Sequence, residues 1–428
     1  MKNKKETLLI LTILITICII IFNRDKLYEA KYTEPKDTLL AITINGEIST
    51  TFPTTKYYET SVECTTGTGK VEWNGTKWVL TTNGITKGST KCNATFITKV
   101  PTFAETILAN NKVKASITTP GATISTASEA LLASTEDDYG TSYYFRGAVT
   151  NNYVEFANKC WRIVRVGGDG SVKLILHNDN PTGAANPCDA ANNSASAAFA
   201  HYNGSTYTSR FNENYDDNAY IGFKYGTPGS SKYETTHANT NKSTILTNLE
   251  TWYTNNLKTY ESVIDDTVLC NDKTNVTDTS YDPWSITPNG LGYAKNVTYY
   301  GATKRLVGTS GSAGGTGPSL KCNGELSKIN SKVGLITADE LAFAGYAYNI
   351  GNTTTYLQEN ATNTYWWSLS PYGFDVGSAG VWGVNGSAGY FDNYNVRGTY
   401  GVRPLISLKS TTNVTGEGTS SAPYIISM

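Results

Sequence analysis

One apolar run stands apart from everything else in the chain. Thr7–Phe22 reads TLLILTILITICIIIF with no charge; Lys2, Lys4 and Lys5 precede it and Asn23-Arg24-Asp25-Lys26 stops it. As a helix, these residues reach roughly 24 Å, slightly less than a ~30 Å hydrocarbon core, a deficit that bilayer thinning or snorkelling absorbs. The leading lysines predict residues 1–6 in the cytoplasm, 7–22 across the membrane as a signal anchor, and the bulk of the chain outside the cell. A cleaved signal peptide is the competing reading. It wants small residues at −3 and −1 after the run, and no such pair follows; Cys18 also lacks the small residue that precedes a lipid-anchored cysteine.

Beyond a polar linker at 23–37 the pattern changes to short alternating stretches. Residues 38–99 predict a small β domain, with LLAITI at Leu39–Ile44, VEWNGTKWVLT at Val71–Thr81 and KCNATFIT at Lys91–Thr98. Asn74-Gly75 predicts a two-residue type I′ hairpin turn. Residues 100–127 read as a second linker. A large domain follows at 128–428. It opens on TSYYFRGAV and KCWRIVRV, and a GGDGS turn leads into VKLIL. Ser243 caps a helix whose Ile245, Leu249, Trp252, Tyr253 and Leu257 recur at helical spacing, and Thr337-Ala338-Asp339-Glu340 is a capping box. The expected fold class is therefore α+β: a transmembrane helix, a small stapled β domain, then a mixed, mostly antiparallel domain with long loops.

Composition narrows the function. Charged residues make up 17% and the net charge is −1, so no basic field is present to attract nucleic acid. The 29 tyrosines, with abundant Thr, Asn, Ser and Gly, suit strands and also the surfaces of recognition loops. Outside the apolar run lie Cys64, Cys92, Cys160, Cys188, Cys270 and Cys322, an even set in an oxidising compartment, which reads as disulfides. The expected pairs, each within one domain, are Cys64–Cys92, Cys270–Cys322 and Cys160–Cys188, although the four cysteines of the large domain can pair in three ways and the sequence leaves the connectivity of Cys160 and Cys188 open. Zinc sites want closely spaced Cys or His pairs. The spacings here are long, and His177, His201 and His237 are scattered, so neither metal nor cofactor is expected.

The C-terminal stretch has its own texture. From Tyr372 to Tyr400, glycines and serines interleave Tyr372, Phe374, Asp375, Trp382, Asn385, Tyr390, Asp392, Tyr394, Asn395, Arg397 and Tyr400. Aromatic anchors among adaptable polar residues are the composition of binding loops, and these eleven are the candidate ligand contacts. On this reading Trp382→Ala and Tyr394→Ala weaken a ligand and leave the melting temperature nearly unchanged. Arg403, in the terminal GVRPLISL strand, is expected to be structural, pairing with backbone carbonyls or an acid.

Tyr143–Leu176 (YYFRGAVTNNYVEFANKCWRIVRVGGDGSVKLIL), VGLITADELAFAG, YWWSLSP and GVRPLISL together resemble a family of gut-bacterial surface proteins that share a C-terminal domain without an assigned function. That domain is similar to C-type-lectin-like folds, in the branch holding formylglycine-generating-enzyme-like and retroelement-diversified binding proteins. The resemblance covers roughly residues 127–428 and implies a surface location and variable loops near the C-terminus. It does not bring chemistry with it. The acidic-Pro-Asn loop and Trp-Asn-Asp strand of calcium-dependent lectins are missing, and Cys270 and Cys322 look like a loop-tethering disulfide, not the reactive cysteines of the generating enzymes.

Three functions compete. The first is an extracellular binding or adhesion protein that grips a protein or glycan through its C-terminal loops, with no catalytic residues. The second is a secreted hydrolase using Asp137-Asp138, Asp216-Asp217 or Asp265-Asp266 as acid and base; adjacent side chains in a strand point to opposite faces, which favours solvated loop acids. The third is a structural cell-wall protein without a specific ligand.

Overall fold

The computed structural model describes residues 39–86, 89–114, 119–266, 268–362 and 364–428. The expected transmembrane segment 7–22 lies outside them. Among the described residues, no helix is long and apolar enough to cross a membrane. The fold is mixed α+β, mostly sheet, and divides into two compact units at Pro101/Thr102.

The first unit is all strand. β1 (Leu39–Ile44), β2 (Glu47–Ser49), β3 (Tyr58–Cys64) and β6 (Lys91–Thr98) form a sheet ordered β2-β1-β6-β3, with β1 and β6 parallel. β4 (Thr68–Trp73) and β5 (Trp78–Asn83) make the expected hairpin. Alternation along β6 sends Cys92, Ala94 and Phe96 inward. Phe96 is ringed by Phe52, Tyr58 and Trp78 at 5.3–6.0 Å. The turn differs from the two-residue expectation. Trp73 pairs directly with Trp78, leaving four residues in the loop, and of these Gly75 alone takes a positive φ. Asn74 instead uses its side-chain oxygen, accepting from the N–H groups of Thr76 and Lys77 at 3.0 and 2.9 Å.

Cys64 and Cys92 stand opposite one another on β3 and β6 and are joined. A loop of this length is worth ~3–4 kcal/mol in the chain-entropy account, large for so small a core. Limited proteolysis checks this. Replacing both cysteines by serine should hasten cleavage between residues 39 and 98 and leave cleavage of the second unit unchanged; equal rates in the first unit would contradict the staple.

The second unit absorbs the stretch read as a linker at 100–127. α1 (Phe103–Asn110) begins with a capping box, Thr102 with Glu105, and is followed by the two-residue β7 (Val113–Lys114), which pairs with β8 (Ala130–Asp137). Phe103 and Ile107 are buried in the large core, and Phe103 meets the ring of Tyr424 at 5.2 Å. The polar and glycine-containing flanks hid a helix with only three buried side chains, Phe103, Ala104 and Ile107.

β8, β9 (Gly140–Gly147), β10 (Tyr153–Phe156), β11 (Lys159–Val166) and β12 (Val172–Asn178) build the main sheet. All of β12 is buried, since it lies between β11 and the late strand Leu405–Leu408. Farther on, Tyr424–Ile426 runs parallel to β10, so the end of the chain returns to its opening strands. Cys160–Cys188 and Cys270–Cys322 are both joined. α2 (Thr244–Asn256) is capped by Ser243, whose hydroxyl accepts from Leu246 N–H. α3 (Ala338–Ala344) carries the Thr337/Glu340 capping box and is buried along its whole length.

A second sheet centres on β13 (Trp366–Asp375), β14 (Ser378–Asn385) and β15 (Tyr390–Asn395), an antiparallel meander with β15 at the edge. Pro371 cannot donate to a ladder, and the β13–β14 register slips on both sides of it. The slip frees Ser370, whose hydroxyl accepts the Ala338 N–H at the start of α3. β16 (Leu405–Leu408) and β17 (Tyr424–Ile426) complete the order.

Candidate functional site

Two places concentrate polar side chains. The first is a narrow cavity of about 40 Å³ beside the Cys270–Cys322 disulfide, lined by Asp137, Arg165, Lys173, Arg305, Asp339 and Glu340 among others. Small-molecule sites occupy roughly 300–1,000 Å³, so this space accepts no organic substrate. Its charges answer one another. Arg165 joins Asp137 at 2.8 Å to Glu340 at 3.0 Å, Lys173 donates to Glu340 at 2.8 Å, and Arg305 bridges Asp272 and Asp339 at 2.6 Å each. Burial opposes ionisation of Glu340, yet Lys173 and Arg165 overcome it and hold its pKa at about 2. The arrangement fastens α3 to β11 and β12.

The adjacent acids read as catalytic candidates are separated in role. Asp137 is held by Arg165, while Asp138 is exposed and accepts from Cys322 N–H at 3.0 Å. Asp217 caps the turn at Ala219 and also accepts from Gly229 N–H, whereas Asp216 lies 3.6 Å from Lys295. Asp266 pairs with Lys332 at 3.2 Å. The histidines sit apart in different surroundings: His177 is buried, His201 pairs with Asp179 at 3.1 Å, and His237 meets Gly292 O at 2.7 Å. Among the described residues, no group of three or more His, Cys, Asp or Glu is placed to hold a metal ion.

The second place is the β13–β15 meander. Here the expectation of glycine-rich loops needs correction, because 372–400 is largely sheet. Its glycines make room for rings. A Cβ at Gly383 would lie 2.8 Å from the Tyr394 ring, and one at Gly380 would lie 3.0 Å from Tyr372. Three candidate contacts are consequently core residues. Tyr372, Phe374 and Trp382 are 3%, 1% and 0% exposed, and Trp382 packs against Tyr348, Tyr372 and Phe391 at 5.3–5.7 Å. Buried this deeply, they present no surface to a ligand. Asn385 is also buried, and its work is local: its oxygen accepts from Ser387 and Ala388 N–H, and its amide reaches the hydroxyls of Tyr365 and Tyr390.

The remaining candidates stay accessible. Tyr390, Asp392 and Tyr394 alternate along one face of β15, opposite Asn385, Gly383 and Val381. The Tyr394 ring meets Tyr365 at 5.4 Å and Tyr400 at 5.1 Å. Tyr365, which the sequence pattern missed because it stands just ahead of the apolar WW pair, is 42% exposed. Asn395 accepts from Arg397 N–H, and exposed Arg397 lies over the Tyr215 ring at 4.5 Å. Among the described residues, Asp375, at the β13–β14 turn, receives only a long 3.5 Å bond from Tyr372.

Two of these carboxylates differ from most of the buried acids elsewhere in the unit; buried Asp217 also has no cationic partner among the described residues, but it accepts two backbone N–H groups, from Ala219 and Gly229. Asp137, Asp179, Asp272, Asp339 and Glu340 each have a lysine or arginine within 3.0 Å. Asp375 and Asp392 have no cationic partner among the described residues, and partial burial raises the pKa of both. Among the described residues, Asp392 accepts only from its neighbour Asn393. Burial pushes the Tyr394 hydroxyl up as well, with the Asp392 charge adding to it. Comparison with protein-family models, curated proteins and solved structures gives no match to the chain.

Proposed function

We propose that the chain is an anchored, extracellular binding protein whose large unit is a C-type-lectin-like domain. Its ligand face is the accessible side of β15 with the tyrosines beside it. The observation that carries this reading is Asp392: a partly desolvated carboxylate without a cation among the described residues, set on β15 between Tyr390 and Tyr394, whose ring in turn meets Tyr365 and Tyr400. A protein tolerates an uncompensated carboxylate in such surroundings at a cost in stability, and functional sites are where such costs collect. Rigid aromatic area around a polar centre suits either a protein epitope or a glycan. Three disulfides fit an oxidising, extracytoplasmic setting. The apolar run 7–22 supplies the anchor, and the return of the last strands to the opening ones fits the lectin-like assignment.

A glycan and protein array probed with the full-length chain in detergent tests the proposal. Binding to a restricted set of ligands is expected, and the same set should be lost by a variant carrying Tyr365→Ala, Tyr390→Ala and Asp392→Asn. Binding that persists unchanged in that variant would place the ligand surface elsewhere.

A further inference from the structure

Beneath the segment 355–360 lie two buried cations, of which one has a carboxylate partner. Arg162 and Arg403 are both 0% exposed. Glu359 pairs with Arg162 at 2.5 Å, is itself partly exposed, and also receives the Tyr153 hydroxyl. Arg403 has no acid. Its Nε donates to Leu176 O at 2.8 Å and its Nη1 to Leu357 O at 2.6 Å, and its remaining nitrogen, Nη2, meets no partner among the described residues. Burial, with Arg162 nearby, pulls the pKa of Arg403 down to about 10, so the guanidinium stays charged at neutral pH.

Arg162 is itself engaged, its Nε donating to Asn152 Oδ1, its Nη1 to Glu359 and its Nη2 to Val149 O, so it contributes charge; groups without partners gather around the two. Leu176 precedes His177, and Leu357 follows Tyr356, so Arg403 is tied between the backbones of both. Arg162 lies over the Tyr153 ring at 3.7 Å and 5.3 Å from the Tyr356 ring, and the His177 ring meets Tyr153 at 5.4 Å. The Tyr356 hydroxyl and both ring nitrogens of His177 are buried without a partner among the described residues. Burial, then Arg162 and Arg403, holds His177 neutral, so its ring offers one N–H. Burial likewise keeps the Tyr356 hydroxyl protonated. Two buried positive charges therefore face one exposed carboxylate, an excess of one positive charge, flanked by two side chains, Tyr356 and His177, with an O–H or N–H to donate. Burying a charge without compensation is costly, and unanswered donors add to the cost.

We propose that Arg403, with Arg162, Tyr356 and His177, binds a small monovalent inorganic anion of halide size beneath the 355–360 segment. One negative charge balances the excess, and an acceptor without protons suits a ring of donors. Water would answer the donors and leave the charge, while an organic anion has no route to side chains buried this completely. The site fastens a segment that leads, five residues on, to Tyr365, but it does not rest on the binding function proposed above.

The test uses full-length protein purified in gluconate and melted at constant ionic strength with increasing chloride or bromide. The melting temperature should rise with halide concentration and not with gluconate, because a ligand bound only by the native state stabilises it by mass action. Crystals grown in bromide should show an anomalous peak within hydrogen-bonding distance of Arg403 Nη2. Tyr356→Phe keeps the ring and removes one donor, and should move the halide midpoint up about tenfold. Melting indifferent to halide, or a water in that position in bromide crystals, overturns the proposal. If Tyr356→Phe fails to fold, the halide titration and anomalous peak of the natural chain decide the matter.

Discussion

Trp382→Ala is expected to destabilise the second unit by about 3–5 kcal/mol, the range for removing a fully buried large aromatic side chain. Trp382 is 0% exposed, and its indole meets three other rings from three different parts of the chain: Tyr348, Tyr372 on β13 and Phe391 on β15. Truncation leaves a cavity in a cluster that extends through Tyr372 to Trp284 and Tyr299. In a unit of this size, that loss corresponds to a fall of roughly 4–7 °C in melting temperature, taking the usual unfolding entropy per residue. Arg397→Ala removes an exposed side chain from the same meander and should change stability by no more than about 0.5 kcal/mol. Thermal denaturation of the two variants side by side makes the comparison. Equal melting temperatures would show that the indole does not support this sheet. The expected loss also reverses what the sequence suggested for Trp382, where alanine was to spare the fold and weaken a ligand.

Glu340→Gln should cost about as much, for an electrostatic reason. Glu340 is buried, closes the capping box of α3 and receives Lys173 and Arg165 at 2.8 and 3.0 Å. Glutamine keeps the shape and loses the charge, leaving two buried cations with Asp137 as their remaining nearby acid. Breaking one side of such a network typically costs about 3–5 kcal/mol. The acid limb gives a second readout. The folded pKa of about 2 lies below the ordinary glutamate value of 4.5, so the stabilisation is fully present above roughly pH 4.5 and disappears as pH falls towards 2. A shift of that size corresponds to about 3 kcal/mol. Urea denaturation between pH 7 and pH 2 should show the gap between natural chain and variant narrowing with acidification. A gap that stays constant would mean that Glu340 acts by packing alone.

What the sequence made legible was local. The Ser243 cap and the Thr337/Glu340 box depend on residues three apart, and both helices begin where those patterns place them. Pairing within units fixes Cys64–Cys92, whereas the four cysteines of the second unit allow three connectivities, of which the structure has the expected Cys160–Cys188 and Cys270–Cys322. Arg403 takes the carbonyl partners, one of the two options its position in the terminal strand left open. What stayed hidden depends on distant partners. Glu340 and Lys173 are 167 positions apart, and no local pattern shows that a capping residue is also the centre of an ion network. The same limit explains 372–400. Alternating glycine and aromatic residues describe a ligand-presenting loop and a ring-packed meander equally well, and only the cross-strand register decides which aromatics turn inward. Thus Tyr390, Asp392 and Tyr394 share one face of β15, while Phe391 goes to the core with Trp382. Residues 100–127 failed for another reason: α1 has two turns, too short for its periodicity to stand out from its polar flanks.

The accessible face of β15 is proposed to make the ligand contact. The most direct test is the dissociation constant of an array-identified ligand for the natural chain and for Tyr365→Ala and Asp392→Asn, each checked by thermal melting. Both positions are partly exposed, so melting temperatures should stay close to that of the natural chain. Truncating a central aromatic contact typically costs ~2 kcal/mol or more, so at least one variant should bind roughly thirtyfold more weakly. Two variants that fold normally and bind with unchanged affinity would contradict the account.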